Sequence, residues 1–198
     1  KDLRDVLKDE FRILPFFAMP TGRQAKNILV SKNKDSYKAL LELEDGRVIE
    51  TVLLNMSEGS WSVCVSSQAG CAMRCSFCAT GASGFFRNLT SSEIWGQVLF
   101  WKAYIKEHKI NGHAYRQAGK ISNVVYMGMG EPFNNLENVF ESVRVLTDPQ
   151  MLGIGQRSVS ISTCGVVPGI ERFAQEFPQV NLAISLHAPS DELRNQLM

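Results

Sequence analysis

Cysteines are the residues whose types and spacing most directly suggest chemistry in this sequence. Four of the five cysteines, Cys64, Cys71, Cys75 and Cys78, fall within a stretch of fifteen residues. A disulfide framework spreads its cysteines along a secreted chain, whereas a local C-x3-C-x2-C cluster is typical of metal binding or redox chemistry. The spacing therefore predicts a metal or iron–sulfur site on one loop, with Cys64 close to it in the sequence.

The three closely spaced thiols favour an iron–sulfur cluster over zinc. A structural zinc site takes four ligands, commonly as two C-x2-C pairs, and no fourth ligand follows here at that spacing. Cys71, Cys75 and Cys78 match three irons of a [4Fe–4S] cluster and leave the fourth iron open to a small molecule. Radical SAM chemistry needs such an open iron, which chelates S-adenosylmethionine (SAM). The aromatic Phe77 directly before the last cysteine is part of the same sequence signal. Zinc binding and incidental thiols are the alternatives.

Strand and helix patterns alternate around these cysteines. Short apolar runs predict strands at 62–66, 123–127, 158–162 and 180–186, and a helical pattern follows each of them. The helical pattern after the first strand begins at Thr90-Ser-Ser-Glu93, which is a capping box. Four strand–loop–helix units predict an α/β fold with a parallel sheet, a partial (βα) barrel of the TIM type with about four units present. The carboxyl ends of such strands carry the chemistry, and the loops with unusual residues lie there.

The residues before the first of these strands have different patterns. Residues 2–13 place apolar side chains at helical spacing, and Asp45-Gly46 predicts a hairpin turn inside the β-rich segment 36–54. The chain therefore divides into a remnant of a helical accessory domain over 1–20, a β-hairpin extension over 21–60 and the α/β core over 61–198. Since the sequence does not begin with Met and four units cannot close a barrel, we expect it to be part of a longer protein.

Composition is that of an ordinary globular protein. Of the 198 residues, 44% are hydrophobic and 21% are charged, and the net charge is +1. No apolar run approaches the roughly 18 residues that span a bilayer. The first residues do not resemble a signal peptide, so we expect a cytoplasmic protein without a membrane segment. The basic segment 102–120 is interpreted as a solvated helix face and loop, with a surface that contacts phosphates as the alternative.

Four motifs in order resemble the RlmN/Cfr family of radical SAM adenine methyltransferases. They are CVSSQAGCAMRCSFCATGASGFFRNLT, VVYMGMGEP, SISTCGVVPGI and LAISLHAPSDELR, and the resemblance covers residues 38–198. It implies a [4Fe–4S] cluster, SAM, and methylation of carbon 2 of an adenine in 23S rRNA and in tRNA through a methyl-cysteine and a covalent enzyme–RNA intermediate. Carbon-8 methylation is the alternative within the family. An electron donor such as flavodoxin or ferredoxin and a monomeric state are also expected.

The resemblance further implies roles for single residues. Cys64 matches the cysteine that resolves the covalent adduct, and Glu50 matches the general base. The methyl-carrying cysteine of the family lies near its C-terminus, so we do not expect these 198 residues alone to methylate RNA, and Cys164 is interpreted as a packed thiol. The cluster ligands are Cys71, Cys75 and Cys78, and the positions that contact SAM are Gly130, Glu131, Ser162, Ser185, Leu186 and His187.

Two hypotheses from other classes stay open on the sequence alone. One is an RNA-binding module that carries zinc or a cluster without catalysis, and the other is a different radical SAM reaction. Iron content separates the first of these from the enzyme, because a cluster brings about four irons per chain and a structural site one zinc.

Overall fold

In the computed structural model, the described residues are 28–57, 60–108, 110 and 120–198. The predicted helix over 2–13, the segment 1–20 and part of the basic segment 102–120 therefore lie outside the described residues. Strands within them are β1 (Ile28–Val30), β2 (Ser36–Glu42), β3 (Val48–Ser57), β4 (Ser60–Cys64), β5 (Gln68–Gly70), β6 (Phe85–Asn88), β7 (Lys120–Tyr126), β8 (Val159–Thr163) and β9 (Asn181–Ile184). The helices are α1 (Ala79–Ala82), α2 (Ser91–Glu107), α3 (Leu136–Thr147), α4 (Val167–Glu176) and α5 (Asp191–Leu197).

Seven of these strands form one mixed sheet, in the order β1-β2-β3-β4-β7-β8-β9. Strands β4, β7, β8 and β9 pair in parallel, and each is followed along the chain by a helix. The α/β class predicted from the sequence is confirmed. In the described part of the chain, no helix is long and apolar enough to cross a membrane.

Two predicted parallel strands end earlier than the sequence indicates. The first ends at Cys64 instead of residue 66, because the Ser66 amide donates to Oε1 of Gln97 and not to the next strand. The last ends at Ile184 instead of residue 186, because the carbonyl of Leu186 accepts a bond from Ala188 within a tight turn. Both early ends are therefore caused by loop contacts at the carboxyl edge of the sheet.

The predicted hairpin is present and extends the sheet. Gly46 has a φ of 77°, and the Arg47 amide donates to Oδ1 of Asp45 at 3.0 Å, as a tight turn requires. Strand β3 then pairs antiparallel with β4, with Val52 opposite Cys64. The hairpin and the parallel strands consequently belong to one hydrogen-bonded sheet. The division of the chain into a β-hairpin extension up to residue 60 and an α/β core from residue 61 stays a prediction.

The two faces of the sheet differ in burial. On β3, Ile49, Thr51 and Leu53 are fully buried on the face covered by helices. The buried Trp101 of α2 donates from its indole nitrogen to Oγ1 of Thr51 at 3.1 Å, which ties the helix to this face. Residues of the opposite face, such as Val52, are partly exposed. The core therefore lies between sheet and helices, and the other face remains accessible for a site.

Helix α2 begins at the predicted capping box. The Glu93 amide donates to Oγ1 of Thr90 at 3.2 Å, and the Thr90 amide donates to Oε2 of Glu93 at 2.9 Å. These bonds satisfy two of the main-chain donors that a helix start leaves unpaired. The helix start is thus fixed by local sequence.

Thr90→Ala is expected to lower the free energy of unfolding by about 1 kcal/mol, since it removes the N-cap acceptor. The measurement is urea denaturation followed by tryptophan fluorescence. Ser91→Ala is the matched control, because Oγ of Ser91 is buried without a partner among the described residues. A loss in the control as large as that of Thr90→Ala contradicts the capping role.

A small two-stranded ribbon, which the sequence interpretation missed, flanks the cysteine loop (residues 71–84). Strands β5 and β6 pair antiparallel outside the main sheet. Gly70 has a φ of 77°, and a Cβ added there would lie 1.9 Å from the carbonyl oxygen of Gly84, so the ribbon closes only because residue 70 is glycine. The sequence signals were these two glycines and the β-prone Phe85-Phe86 pair.

Candidate active site

The predicted site residues gather at one edge of the sheet. Cys64 is the last residue of β4, Ser162 lies near the end of β8, and the segment 185–187 follows β9. Gly130 and Glu131 follow β7 in the same way. Because parallel strands point in the same direction, their carboxyl ends meet at a single edge, where α/β folds place their ligands.

The cysteine loop lies between the two strands of the ribbon. The Cys71 amide donates to the Gly84 carbonyl at 3.0 Å, and the Cys78 amide donates to the Cys75 carbonyl at 3.0 Å. Burial raises the pKa of the Cys71 and Cys75 thiols, and the negative charge of neighbouring cysteines raises it further. Three thiolates in this loop therefore call for a compensating cation, which a metal centre supplies.

The candidate donor set for a metal centre is the three thiols of the cysteine loop. Among the described residues, no three Cys, His, Asp or Glu side chains converge on a point where one metal ion could bind. In a [4Fe–4S] cluster each thiolate binds a different iron, so its donors surround a larger group and need not converge. A closed zinc site takes four ligands at one point. Three thiols in one loop match the donor set of the cluster that the sequence predicts.

The loop after β7 packs closely against the residues that precede the cysteine loop. Gly130 has a φ of 100°, and a Cβ added there would lie 2.5 Å from Cβ of Gln68. The Glu131 amide donates to Oε1 of Gln68 at 2.9 Å. Gln68 is two residues before the buried Gly70 and three before Cys71. Glycine at position 130 therefore brings this loop next to the cysteines.

The buried Glu131 joins two strand-end loops. Its Oε1 accepts from the Phe133 amide at 3.1 Å and from the Thr163 hydroxyl at 2.7 Å, and its Oε2 accepts from the Cys164 amide at 2.9 Å. A carboxylate has about four lone-pair positions, and the thiol of Cys164 is a fourth donor to this one. An ammonium group of a ligand therefore has to displace a protein donor, of which the thiol is the weakest.

Cys164 is a protonated, packed thiol in this arrangement. It is 8% exposed, and burial, followed by its hydrogen bond to Glu131, raises its pKa to about 12. The thiol therefore stays protonated at neutral pH and donates to the carboxylate. The interpretation of Cys164 as a packed thiol is confirmed, but the partnership of Thr163 and Cys164 with Glu131 was missed in the sequence.

The segment after β9 contacts the cysteine loop directly. The rings of His187 and Phe77 lie with centroids 4.7 Å apart. His187 has a φ of 60°, and the Ala188 amide donates to the Leu186 carbonyl at 2.7 Å, which is the bond of a γ-turn. A γ-turn with positive φ is rare and strained, and strain of this kind clusters at functional sites. The hydroxyls of Ser185 and Ser162 are 2.9 Å apart, so this segment also contacts β8.

Glu50 and Cys64 lie on the accessible face of neighbouring strands. Cys64 is opposite Val52 in the ladder, and Glu50 is two residues from Val52, so all three side chains share one face. The Glu50 carboxylate forms an ion pair with Nζ of Lys38 at 2.6 Å. Burial raises the pKa of Cys64, and a main-chain bond from Met127 partly opposes this rise. Cys64 is thus a thiol at neutral pH, and a base is required to activate it.

Comparisons with known proteins agree with this geometry. The family model of the radical SAM superfamily matches residues 65–198. The probable dual-specificity RNA methyltransferase RlmN of Moorella thermoacetica is 49% identical over 174 residues, which are 87% of this chain and 47% of that protein. The ribosomal RNA large subunit methyltransferase Cfr of Clostridium botulinum is 46% identical over 171 residues, 86% of this chain and 46% of that protein.

A solved structure gives the same picture. The crystal structure of a radical SAM methyltransferase from Sphaerobacter thermophilus superimposes with a TM-score of 0.77 at 37% identity, over 92% of this chain and 54% of that one. The chain therefore spans about half the length of the relatives that it matches. The chain belongs to the radical SAM superfamily, and over most of its length it is similar to the RlmN and Cfr RNA methyltransferases.

Proposed function

We propose that the protein containing this chain is a radical SAM RNA methyltransferase that methylates carbon 2 of an adenine in 23S rRNA and in tRNA. The observation that carries the proposal is that three segments meet at one edge of the sheet, beside Cys64 and Glu50. They are the cysteine loop, the GMGEP loop (residues 128–132) and the segment 185–187. Carbon-8 methylation is the alternative that the experiment has to distinguish.

The chain offers residues for both cofactors. Cys71, Cys75 and Cys78 would hold a [4Fe–4S] cluster, and the residues at the strand ends would hold SAM: Gly130, Glu131, Ser162, Ser185, Leu186 and His187. When bound, these groups supply the radical chemistry that an adenine carbon without a lone pair requires. The Glu131 carboxylate suits the SAM ammonium, which would displace the weak thiol donor of Cys164, and the exposed Leu186 offers an apolar contact.

The protein's own residues handle bond resolution and proton movement. We propose that Glu50 takes the thiol proton of Cys64 and that the resulting thiolate attacks the sulfur of the thioether that joins enzyme and RNA. A disulfide forms, the sulfur–carbon bond breaks with its electron pair on the methylene carbon, and a proton added to that carbon completes the methyl group of the released base. Glu50 accepts a proton in this sequence, and the Lys38 ammonium keeps its carboxylate in place. The adenine must be turned out of its stack to reach this edge, since stacking covers its carbons.

The proposed setting of the enzyme completes this picture. Strands β4, β7, β8 and β9 are neighbours in the order of the sequence, as in a partial (βα) barrel, and the division into segments 1–20, 21–60 and 61–198 is part of the proposal. We also propose flavodoxin or ferredoxin as electron donor, a monomer and a cytoplasmic location.

The test is methylation of defined RNAs by the full-length protein, reconstituted anaerobically with iron and sulfide. A 23S rRNA fragment and tRNA are incubated with a chemical reductant and with SAM that carries a deuterated methyl group, and the digested nucleosides are identified by mass spectrometry. Deuterated 2-methyladenosine supports the proposal, and 8-methyladenosine supports the alternative. Absence of both products from a protein loaded with cluster and SAM contradicts it.

Cys64→Ala in the full-length protein is expected to trap a covalent protein–RNA adduct, because the thiol that breaks the thioether is missing. Denaturing gel electrophoresis with labelled RNA measures the adduct. Cys164→Ala is the matched control, since its protonated thiol packs against Glu131, and it should release product without accumulating adduct. Normal turnover by Cys64→Ala rules out the resolving role.

A further inference from the structure

Arg194 of helix α5 connects two of the strand-end loops. Its Nη1 donates to the Leu186 carbonyl at 2.9 Å, and its Nη2 donates to the Cys164 carbonyl. Leu186 follows β9 and Cys164 follows β8, so one guanidinium bridges the ends of two neighbouring strands. Arginine suits this task because its planar fork presents several donors in fixed directions.

Arg194 binds two carbonyls, and each belongs to the residue directly before one with positive φ. Leu186 precedes His187 with a φ of 60°, and Cys164 precedes Gly165 with a φ of 112°. The Leu186 carbonyl is also the acceptor of the γ-turn bond from Ala188. Strained turns persist only where surrounding contacts hold them, and charge-assisted hydrogen bonds are strong contacts of this kind.

The packing around Gly165 leaves room for the guanidinium. A Cβ added at Gly165 would lie 3.3 Å from Nη2 of Arg194, a distance tighter than most side-chain contacts. A larger residue at position 165 would therefore press against the bridge as well as strain the backbone. Glycine at position 165 therefore allows the guanidinium of Arg194 to reach the Cys164 carbonyl.

Arg194 differs from three other arginines of the described chain in its partners. Arg87, Arg144 and Arg172 pair with carboxylates. No carboxylate of the described residues lies within ion-pair distance of the Arg194 guanidinium, and the side chain is only partly exposed. The hydrogen bonds of its guanidinium go to the main-chain carbonyls of Leu186 and Cys164, so its contacts are those of a residue that shapes loops.

We propose that Arg194 is a positioning residue that ties the loops after β8 and β9 together and holds the strained turn at His187 in the shape that binds SAM. The binding of SAM to this turn rests on the proposed function above, whereas the tie between the loops does not. In this arrangement the guanidinium touches the loop carbonyls, and the ligand is contacted by the segment 185–187.

The test compares Arg194→Gln and Arg194→Lys with the matched control Arg157→Gln. Arg157 is exposed in the turn Gln156–Ser158, which lies before β8 at the opposite edge of the parallel strands, so the control makes the same charge change away from the site. Hydrogen exchange in the cofactor-free protein is measured by mass spectrometry for peptides covering 163–166 and 186–188. The dissociation constant of SAM is measured on the protein loaded with iron and sulfide.

Exchange in both peptides is expected to accelerate at least tenfold in Arg194→Gln, and SAM is expected to bind about tenfold more weakly. Arg194→Lys should resemble Arg194→Gln, because a single ammonium keeps the charge but does not reproduce the planar fork. Arg157→Gln should leave both quantities unchanged. If Arg194→Gln does not fold, Arg194→Lys decides by the same measurements.

Unchanged exchange in the two peptides overturns the tie between the loops. Faster exchange with an unchanged SAM dissociation constant overturns the link to SAM binding. A wild-type protein that takes up neither iron nor SAM contradicts the proposed function instead, and the exchange rates then still decide whether Arg194 holds the loops.

Discussion

Cys75→Ala is expected to reduce the iron content of the anaerobically reconstituted protein from about four atoms per chain to well below one. Two thiolates that remain in a loop of this size leave the cluster with too few protein ligands. The brown absorbance of the cluster should disappear together with the iron. Iron and sulfide assays and the visible absorption spectrum measure the loss.

Cys164→Ala provides the control for this change. Cys164 is a buried thiol outside the cysteine loop, in the loop after β8, and it donates a hydrogen bond to Glu131. Its replacement is expected to leave the iron content unchanged. Full iron content in Cys75→Ala excludes Cys75 as a ligand, and one zinc per wild-type chain excludes the cluster.

Gly70→Ala should destabilise the protein by about 2–5 kcal/mol, the sum of left-handed backbone strain and a steric clash. The added Cβ would lie 1.9 Å from the Gly84 carbonyl oxygen, and main-chain atoms on both sides cannot move without opening the ribbon. Since the ribbon holds the cysteine loop, iron loading should fall as well. Urea denaturation and iron analysis of the same preparation measure both effects.

Gly84→Ala separates the clash from the strain. Gly84 also has a positive φ, of 80°, but a Cβ added there meets nothing within 4 Å. Only the strain of about 1–2 kcal/mol is therefore expected, and iron loading should persist. Equal losses in the two variants contradict the role assigned to the close approach at Gly70.

Local signals predicted much of the fold. The capping box at Thr90 and Glu93 fixed the start of α2, and the Asp45-Gly46 pair predicted the hairpin turn. The apolar runs predicted all four parallel strands, since a strand buried by helices needs them. The end of β4 could not be predicted in this way, because the long-range contact between Ser66 and Gln97 determines it. The end of β9 is set by the tight turn at His187, a residue type that does not signal a positive φ.

In the candidate site, too, local features could be predicted from the sequence and long-range contacts could not. The C-x3-C-x2-C spacing is a local pattern, and it indicated the cysteine loop without knowledge of the fold. The bonds of Glu131 to Thr163 and Cys164 join loops that are far apart in the sequence. The contact between Phe77 and His187 is of the same kind. A single sequence contains no signal for such pairs, so their partnerships became visible only in three dimensions.

The pairing of Val52 with Cys64 has a mechanical consequence. Glu50 is two residues from Val52, about 7 Å along a strand, so its separation from Cys64 is set by the ladder. A shift by one residue would turn Glu50 toward the helices, and the intermediate steps break many bonds at once. The ladder therefore fixes the spacing between Glu50 and Cys64. A movement that accompanies substrate entry has to come from the loops at the carboxyl edge of the sheet.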